Sequence, residues 1–266
     1  MSPAQPWYER LQPALILLLG ILLVVWLILT PPGLLGKADA IGYAVCHRIA
    51  ERSFLLGDRA VPLCSRCSGM YLGALVGMIY QAIRGRRGEL PTRRIQWAFG
   101  FFLLAFAIDG INSYLSFFPQ APGLYTPQNG LRLLTGTLLG TAIAAFLIPT
   151  FHQVVWQQWQ DRPAFSTFRQ LFVVLVPAGF ISAAIASENP ILVYPLAVLS
   201  VLSLLAILIL AYTLLWVMLL KRENSFEKWH QLQPFLLLAA LTTLAQIGLI
   251  DAGRFLLTGT WAGFTL

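Results

Sequence analysis

Long apolar runs separated by short polar or proline-containing stretches set the pattern of the chain. A helix crossing the ~30 Å hydrocarbon core of a bilayer needs about 20 mostly apolar residues. The first candidate extends from Pro13 to Thr30 and stops at Pro31-Pro32. Its apolar stretch is too long for a signal peptide, its flank carries only Arg10, and no small-x-small cleavage site precedes the prolines. A retained span is therefore expected. The second covers about Leu63 to Ile83, the third Ile95 to Phe118, the fourth Leu131 to Ile148 and the fifth Phe168 to Ala186. Asn189-Pro190 breaks the chain before the sixth, Ile191 to Leu220, which is long enough to tilt strongly or overrun the bilayer. The seventh runs from Pro234 to Leu257. The expected fold is all-α: a polytopic membrane bundle of about seven transmembrane helices, forming a single integral membrane domain over 1–266 without repeats or low-complexity tracts.

Composition sharpens this picture. Hydrophobic residues make up 58% of the chain and charged residues 11%, against a usual charged fraction of ~25% in globular domains. A soluble protein of this composition lacks the polar side chains to cover its surface. A disordered chain, a disulfide scaffold and a collagen-like fibre are excluded as well. The net charge of +7 then reads as a basic cytoplasmic rim on a protein whose partner is the lipid bilayer, not as a nucleic-acid surface. With seven spans, 11 lysines and arginines fall on one side and 7 on the other. The strongest vote comes from the short loop holding Arg84, Arg86, Arg87, Arg93 and Arg94. It places the N-terminus in the cytoplasm and the C-terminus outside an inner (plasma) membrane.

The stretch from about 31 to 62 is expected as one long external loop carrying most of the chemistry. Cys46, His47, Cys64 and Cys67, which include all three cysteines of the chain, lie within 22 residues. One reading is metal. The C-x-x-C spacing of Cys64 and Cys67 lets two thiolates hold one tetrahedral ion, and Cys46 and His47 complete a Cys₃His set for which zinc is the default. A second reading is redox. Pro62 suits the start of a helix, so Cys64 and Cys67 sit where the helix dipole and Arg48, Arg52 and Arg66 favour thiolates. A third reading makes the cysteines small apolar fillers at a membrane boundary.

Polar residues inside the spans add a second group. Asp109, Asn112 and Ser113 share one face of the third span, and an ionisable residue there needs a partner. Arg132, at the start of the fourth span, is the candidate partner, by direct pairing with Asp109 or by facing the same cavity. Asp251 and Arg254, at i and i+3, are read as neutralising each other. His152 and His230 are read as interfacial loop residues beside tryptophans. Gly69, Gly73 and Gly77 in the second span, with Gly136 and Gly140 in the fourth, form small-xxx-small rows that permit close packing. With the topology above, nearly all these polar residues gather in the outer half of the bundle.

The run Cys46-His47-Arg48, then Arg52-Ser53-Phe54, then Pro62-Leu63-Cys64-Ser65-Arg66-Cys67-Ser68-Gly69 resembles a family of predicted prokaryotic membrane proteins, a domain of unknown function. Asp109-Gly110 and the run from Asn129 to Gly136 are similar to it too, so that the likeness covers about 40–148. The resemblance groups Cys46, His47, Cys64, Cys67, Asp109 and Arg132, and it supplies no activity. Three function classes stay open. One is a binding or transport protein with a zinc site beside a polar cavity formed by Arg48, Arg52, Arg66, Asp109, Asn112 and Arg132. Another is a membrane thiol-disulfide oxidoreductase using Cys64 and Cys67. The last is a lipid-phosphate-active enzyme. No residue is assigned as catalytic.

Overall fold

The computed structural model describes residues 10–118 and 123–264, so the connection predicted before the fourth span falls partly outside the described residues. Among them are eight α-helices: α1 Gln12–Leu29, α2 Gly33–Val45, α3 Ser65–Ile83, α4 Arg93–Leu115, α5 Asn129–Val155, α6 Phe168–Ala186, α7 Pro190–Leu219 and α8 Trp229–Thr258. The protein is an all-α helical bundle. Six of the helices (α1 and α4 to α8) are long and apolar enough to cross a membrane. The remaining predicted span, the second, corresponds to α3, whose Arg66, Ser68 and Gln81 dilute its apolar character.

Several boundaries differ from expectation for identifiable reasons. The stretch expected as one loop contains α2, a 13-residue helix. Its glycines and alanines, with Lys37 and Asp39, leave it too thinly apolar to stand out in the pattern. Lys37 reaches back from α2 and donates to the Thr30 carbonyl (2.9 Å), capping the end of α1. The rest of the stretch forms a 3₁₀ turn, Ala50–Arg52, and a small hairpin of β1 (Leu55–Leu56) and β2 (Arg59–Ala60). Helix α5 continues through Pro149 to Val155, and α8 begins five residues before Pro234. His152 is therefore a buried residue of the last helical turn, not of a loop.

Helices α3 and α5 form the centre. A Cβ at Gly136 would stand 2.1 Å from the Arg66 carbonyl oxygen, and one at Gly140 would stand 1.9 Å from that of Met70. From the other side, a Cβ at Gly69 would lie 2.3 Å from the Leu133 oxygen, and one at Gly73 2.3 Å from the Thr137 oxygen. Only hydrogen fits at these points. Contacts advance in the same sense along both helices, so α3 and α5 run parallel. Helix α4 returns antiparallel against α5, with Ser113 at Arg132 and Phe99 at Phe146. Helix α1 lies parallel to α8, tied by Gln12 to Gln233 (3.1 Å) and by Trp26 to Asp251 (3.1 Å).

The bundle has two chemically distinct ends. One holds Arg84, Arg86 and Arg87, where β3 (Arg87–Glu89) pairs in parallel with β4 (Gln160–Pro163). There the Arg86 guanidinium lies 3.9 Å from the centre of the Trp156 ring. The other end gathers α2, the starts of α3 and α5, and the ends of α4 and α8. The cysteines and Asp109 lie at this second end.

Candidate functional site

Two chain segments bring the cysteines together. Cys46 follows the last residue of α2, and Cys64 immediately precedes α3. Gly42 lets the second segment cross the first, because a Cβ there would stand 2.1 Å from the Pro62 carbonyl oxygen. As a result, ligand atoms of Cys46, His47 and Cys64 all lie within 4.8 Å of one another. This Cys-His-Cys group could hold a metal ion. The spread suits tetrahedral ligation at metal–sulfur distances of about 2.3 Å. Cys67, the fourth expected ligand, lies one turn into α3 and is not part of this close group. All three cysteines are unpaired by disulfides.

The electrostatics of the group favour an anionic sulfur at Cys46. Its Sγ accepts the backbone N–H of Cys64 at 3.4 Å. Hydrogen bonds from the Cys64 and Cys67 thiols hold the Cys46 thiol well below its usual range. The same interaction with Cys46 pushes Cys64 up to about 12. Burial pulls His47 down, which favours the neutral form that a metal requires. Its Nδ1 accepts the Ile49 N–H at 3.2 Å, which fixes the ring. Ala38, Leu63, Val201 and Leu204 pack around Cys46 and Cys64, giving the sulfurs an apolar wall.

The polar group stands beside this cluster, with partners other than those expected. Asp109 pairs with Arg66, not Arg132. The Arg66 guanidinium also donates to the Asp109 carbonyl at 3.0 Å and to Ser113 Oγ at 2.9 Å. Tyr125 donates its hydroxyl to Asp109 Oδ1 at 2.9 Å, and Thr135 donates to Oδ2 at 3.4 Å. Arg132 instead donates to Ser113 Oγ at 3.3 Å and to Asn129 Oδ1 at 3.0 Å. The expected pairing followed chain order, α4 with the next helix. The parallel packing of α3 on α5 puts Arg66 nearer the carboxylate.

Arg52 joins this group through Ser116 Oγ at 3.2 Å, with its guanidinium 3.8 Å from the Phe117 ring centre. Asn112 faces the same end but spends its amide on the chain around Leu124 and Tyr125, donating to the Tyr125 carbonyl at 2.9 Å. Arg48 lies apart: it pairs with Asp39 at 2.8 Å and donates to the Trp261 carbonyl at 3.1 Å.

Sequence reasoning missed the part played by the C-terminal segment. Arg254 forms no ion pair with Asp251 among the described residues, and Asp251 accepts from Trp26. Arg254 reaches the carbonyls of Tyr43 and Cys46, the latter at 2.9 Å. The Phe264 N–H donates to the His47 carbonyl at 3.0 Å. These contacts join residues more than 200 positions apart, beyond the reach of any local pattern.

The arrangement can be set beside known proteins. The family model for predicted membrane proteins, DUF2085, matches residues 46–146. A protein of Methanothermobacter thermautotrophicus is 32% identical over 100 residues, which are 38% of this chain and 81% of that relative. The chain belongs to the DUF2085 family. A second relative, an uncharacterised protein of Methanocaldococcus jannaschii, is 28% identical over 116 residues, covering 44% of this chain and 69% of its own. No solved structure matches the chain. The DUF2085 segment begins at Cys46 and ends within α5. It thus carries the three cysteines, His47, Arg52, Arg66, Asp109 and Arg132, while α1, α2 and α6 to α8 lie outside it.

Proposed function

We propose that this is a multi-pass inner-membrane protein, one integral domain over 1–266, in which Cys46, His47, Cys64 and Cys67 hold a zinc ion on the extracytoplasmic face. The ion pins the connection between α2 and α3 beside the polar group, in a protein with a binding or transport role. The observation carrying this reading is the placement of Cys46, His47 and Cys64 ligand atoms within 4.8 Å of one another. The N–H bond to Cys46 Sγ supports it, since such bonds orient thiolate ligands and temper their charge. The parallel course of α3 along α5 supports a seventh crossing. With seven crossings, the arginine-rich end faces the cytoplasm and the cysteine end faces outward.

Elemental analysis of the purified protein, combined with a thiol count, tests the proposal. The expected result is one zinc per chain, with three thiols reactive only after denaturation in chelator. Cys64→Ser should lose the metal. A metal-free protein with three reactive thiols would overturn the zinc site.

A second reading, a thiol-disulfide oxidoreductase, draws support from three cysteines unpaired by disulfides at one place, with Cys46 Sγ accepting the Cys64 N–H at 3.4 Å. A metal-free protein with one reactive thiol per chain, rising to three after reduction, would select it over zinc.

A further inference from the structure

The polar group beside the cysteines carries more buried positive charge than its own carboxylates neutralise. Arg52 and Arg132 are 7% and 6% exposed. Among the described residues neither makes an ion pair. Their hydrogen-bond partners are neutral oxygens: Ser116 Oγ for Arg52, and Ser113 Oγ with Asn129 Oδ1 for Arg132. The one buried carboxylate of the group, Asp109, is engaged by Arg66. Glu51, next to Arg52 in the chain, is exposed. Three guanidinium groups against one buried carboxylate leave an excess of positive charge, which is costly in a buried site.

The geometry gives this excess charge a focus. Ser113 Oγ receives donors from both Arg66 and Arg132, so two guanidinium groups converge on one oxygen. Ser116, which caps the end of α4, holds the third through Arg52 and donates to the Ser113 carbonyl at 2.8 Å. Converging guanidinium forks are the usual protein device for phosphate-type oxyanions, which accept several donors at once. The starts of α3 and α5 lie at the same end, and their dipoles add positive potential.

We propose that Arg52, Arg66 and Arg132 form a binding site for a phosphate-type oxyanion, carried by free phosphate or by a phospholipid headgroup. Tyr114, Phe117 and Phe118 are exposed beside it, the residue types that lie at headgroup level. The site goes beyond the metal reading and needs no metal, so its test is run with and without chelator.

Two probes on the full-length protein in detergent separate the sources. Radiolabelled inorganic phosphate reports the free anion. Native mass spectrometry after exposure to phosphatidylcholine vesicles, with or without phosphatidic acid, reports the headgroup. Wild-type protein should bind at least one probe saturably. Arg52→Gln and Arg132→Gln should each weaken that binding at least tenfold, and Arg52→Lys, which keeps the charge but not the fork, should fall between. Arg94→Gln, on the exposed start of α4 at the opposite end, should bind as wild type does. Saturable phosphate binding supports a free anion, and selective retention of phosphatidic acid supports a headgroup. No saturable binding of either probe to the wild-type protein overturns the site without depending on how any variant folds. Equal binding by Arg52→Gln, Arg132→Gln and Arg94→Gln also overturns it.

Discussion

Asp109 is 1% exposed and accepts from Arg66, Tyr125 and Thr135, so its charge is spread over three donors. Asp109→Asn keeps the shape and leaves Arg66 facing two other arginines without a carboxylate. The expected cost is about 2–3 kcal/mol, below the ~3–5 kcal/mol of a fully buried broken pair, because the Arg66 side chain keeps 19% exposure. Thermal unfolding in detergent measures it, and adding Arg66→Met should recover part of the loss. Arg254 offers a second test, since it holds the Cys46 carbonyl from α8. Arg254→Met should weaken metal binding by about 10–100-fold with every cysteine in place, the usual size of an outer-shell effect. Competition against a zinc indicator reads that change. Residue types and chain spacing were enough to group Cys46, His47 and Cys64. They could not show that Arg66 serves Asp109 or that Arg254 serves Cys46, because those partners come from helices distant in the chain.

Among the helices, the contact most sensitive to substitution is that between α3 and α5. Gly140→Leu would drive a side chain into the Met70 backbone, and backbone within a helix cannot yield as a flexible side chain does. The expected loss exceeds about 3 kcal/mol, at or beyond the usual range for overpacking. Gly100→Leu, with nothing within 4 Å of its Cβ, should be tolerated. Folded yield by size-exclusion chromatography compares the two, and equal yields would show that the contact is looser than described. Apolar runs made the long helices legible because lipid exposure demands them. Helix α2 was hidden because Gly36 and Gly42 serve close approaches to Pro31 and Pro62, not contact with lipid. Pro149 and Pro234 misled the boundaries because a packed bundle can absorb an unpaired carbonyl that would end an isolated helix.

For the molecule as a whole, side chains and topology make one argument. The starts of α3 and α5 and the ends of α4 and α8 share an end, which follows from α1, α4 and α8 running opposite to α3 and α5. The proposed seven crossings put that end outside and the Arg84–Arg94 end inside. Reporter fusions at the C-terminus should then give active alkaline phosphatase and no cytoplasmic fluorescence. The reverse result would mean that the crossing number is off by one, with α3 the helix that does not cross. The gathering of polar residues at one end was legible, since span direction alone decides which residues share a level. The partners within that end were not, because span direction says nothing of rotation about each helix axis.

The glycine rows have a consequence for alignment. On both central helices they recur every four residues, so a slide of one step, about 6 Å, would again set small residues against backbone. Close fit alone therefore leaves neighbouring alignments nearly equivalent. Two polar contacts break the tie, one made directly between α3 and α5 and one made through α4, which Arg132 and Thr135 hold against α5. Gln81 donates to the Ala144 carbonyl at 2.7 Å at one end, and Arg66 meets Asp109 and Ser113 at the other. After a slide the amide would lose its acceptor and the guanidinium would leave its carboxylate. These groups act as index marks on a repeating scale, and one of the marks is part of the anion site. A substitution there changes the chemistry of the site and the alignment of the bundle together.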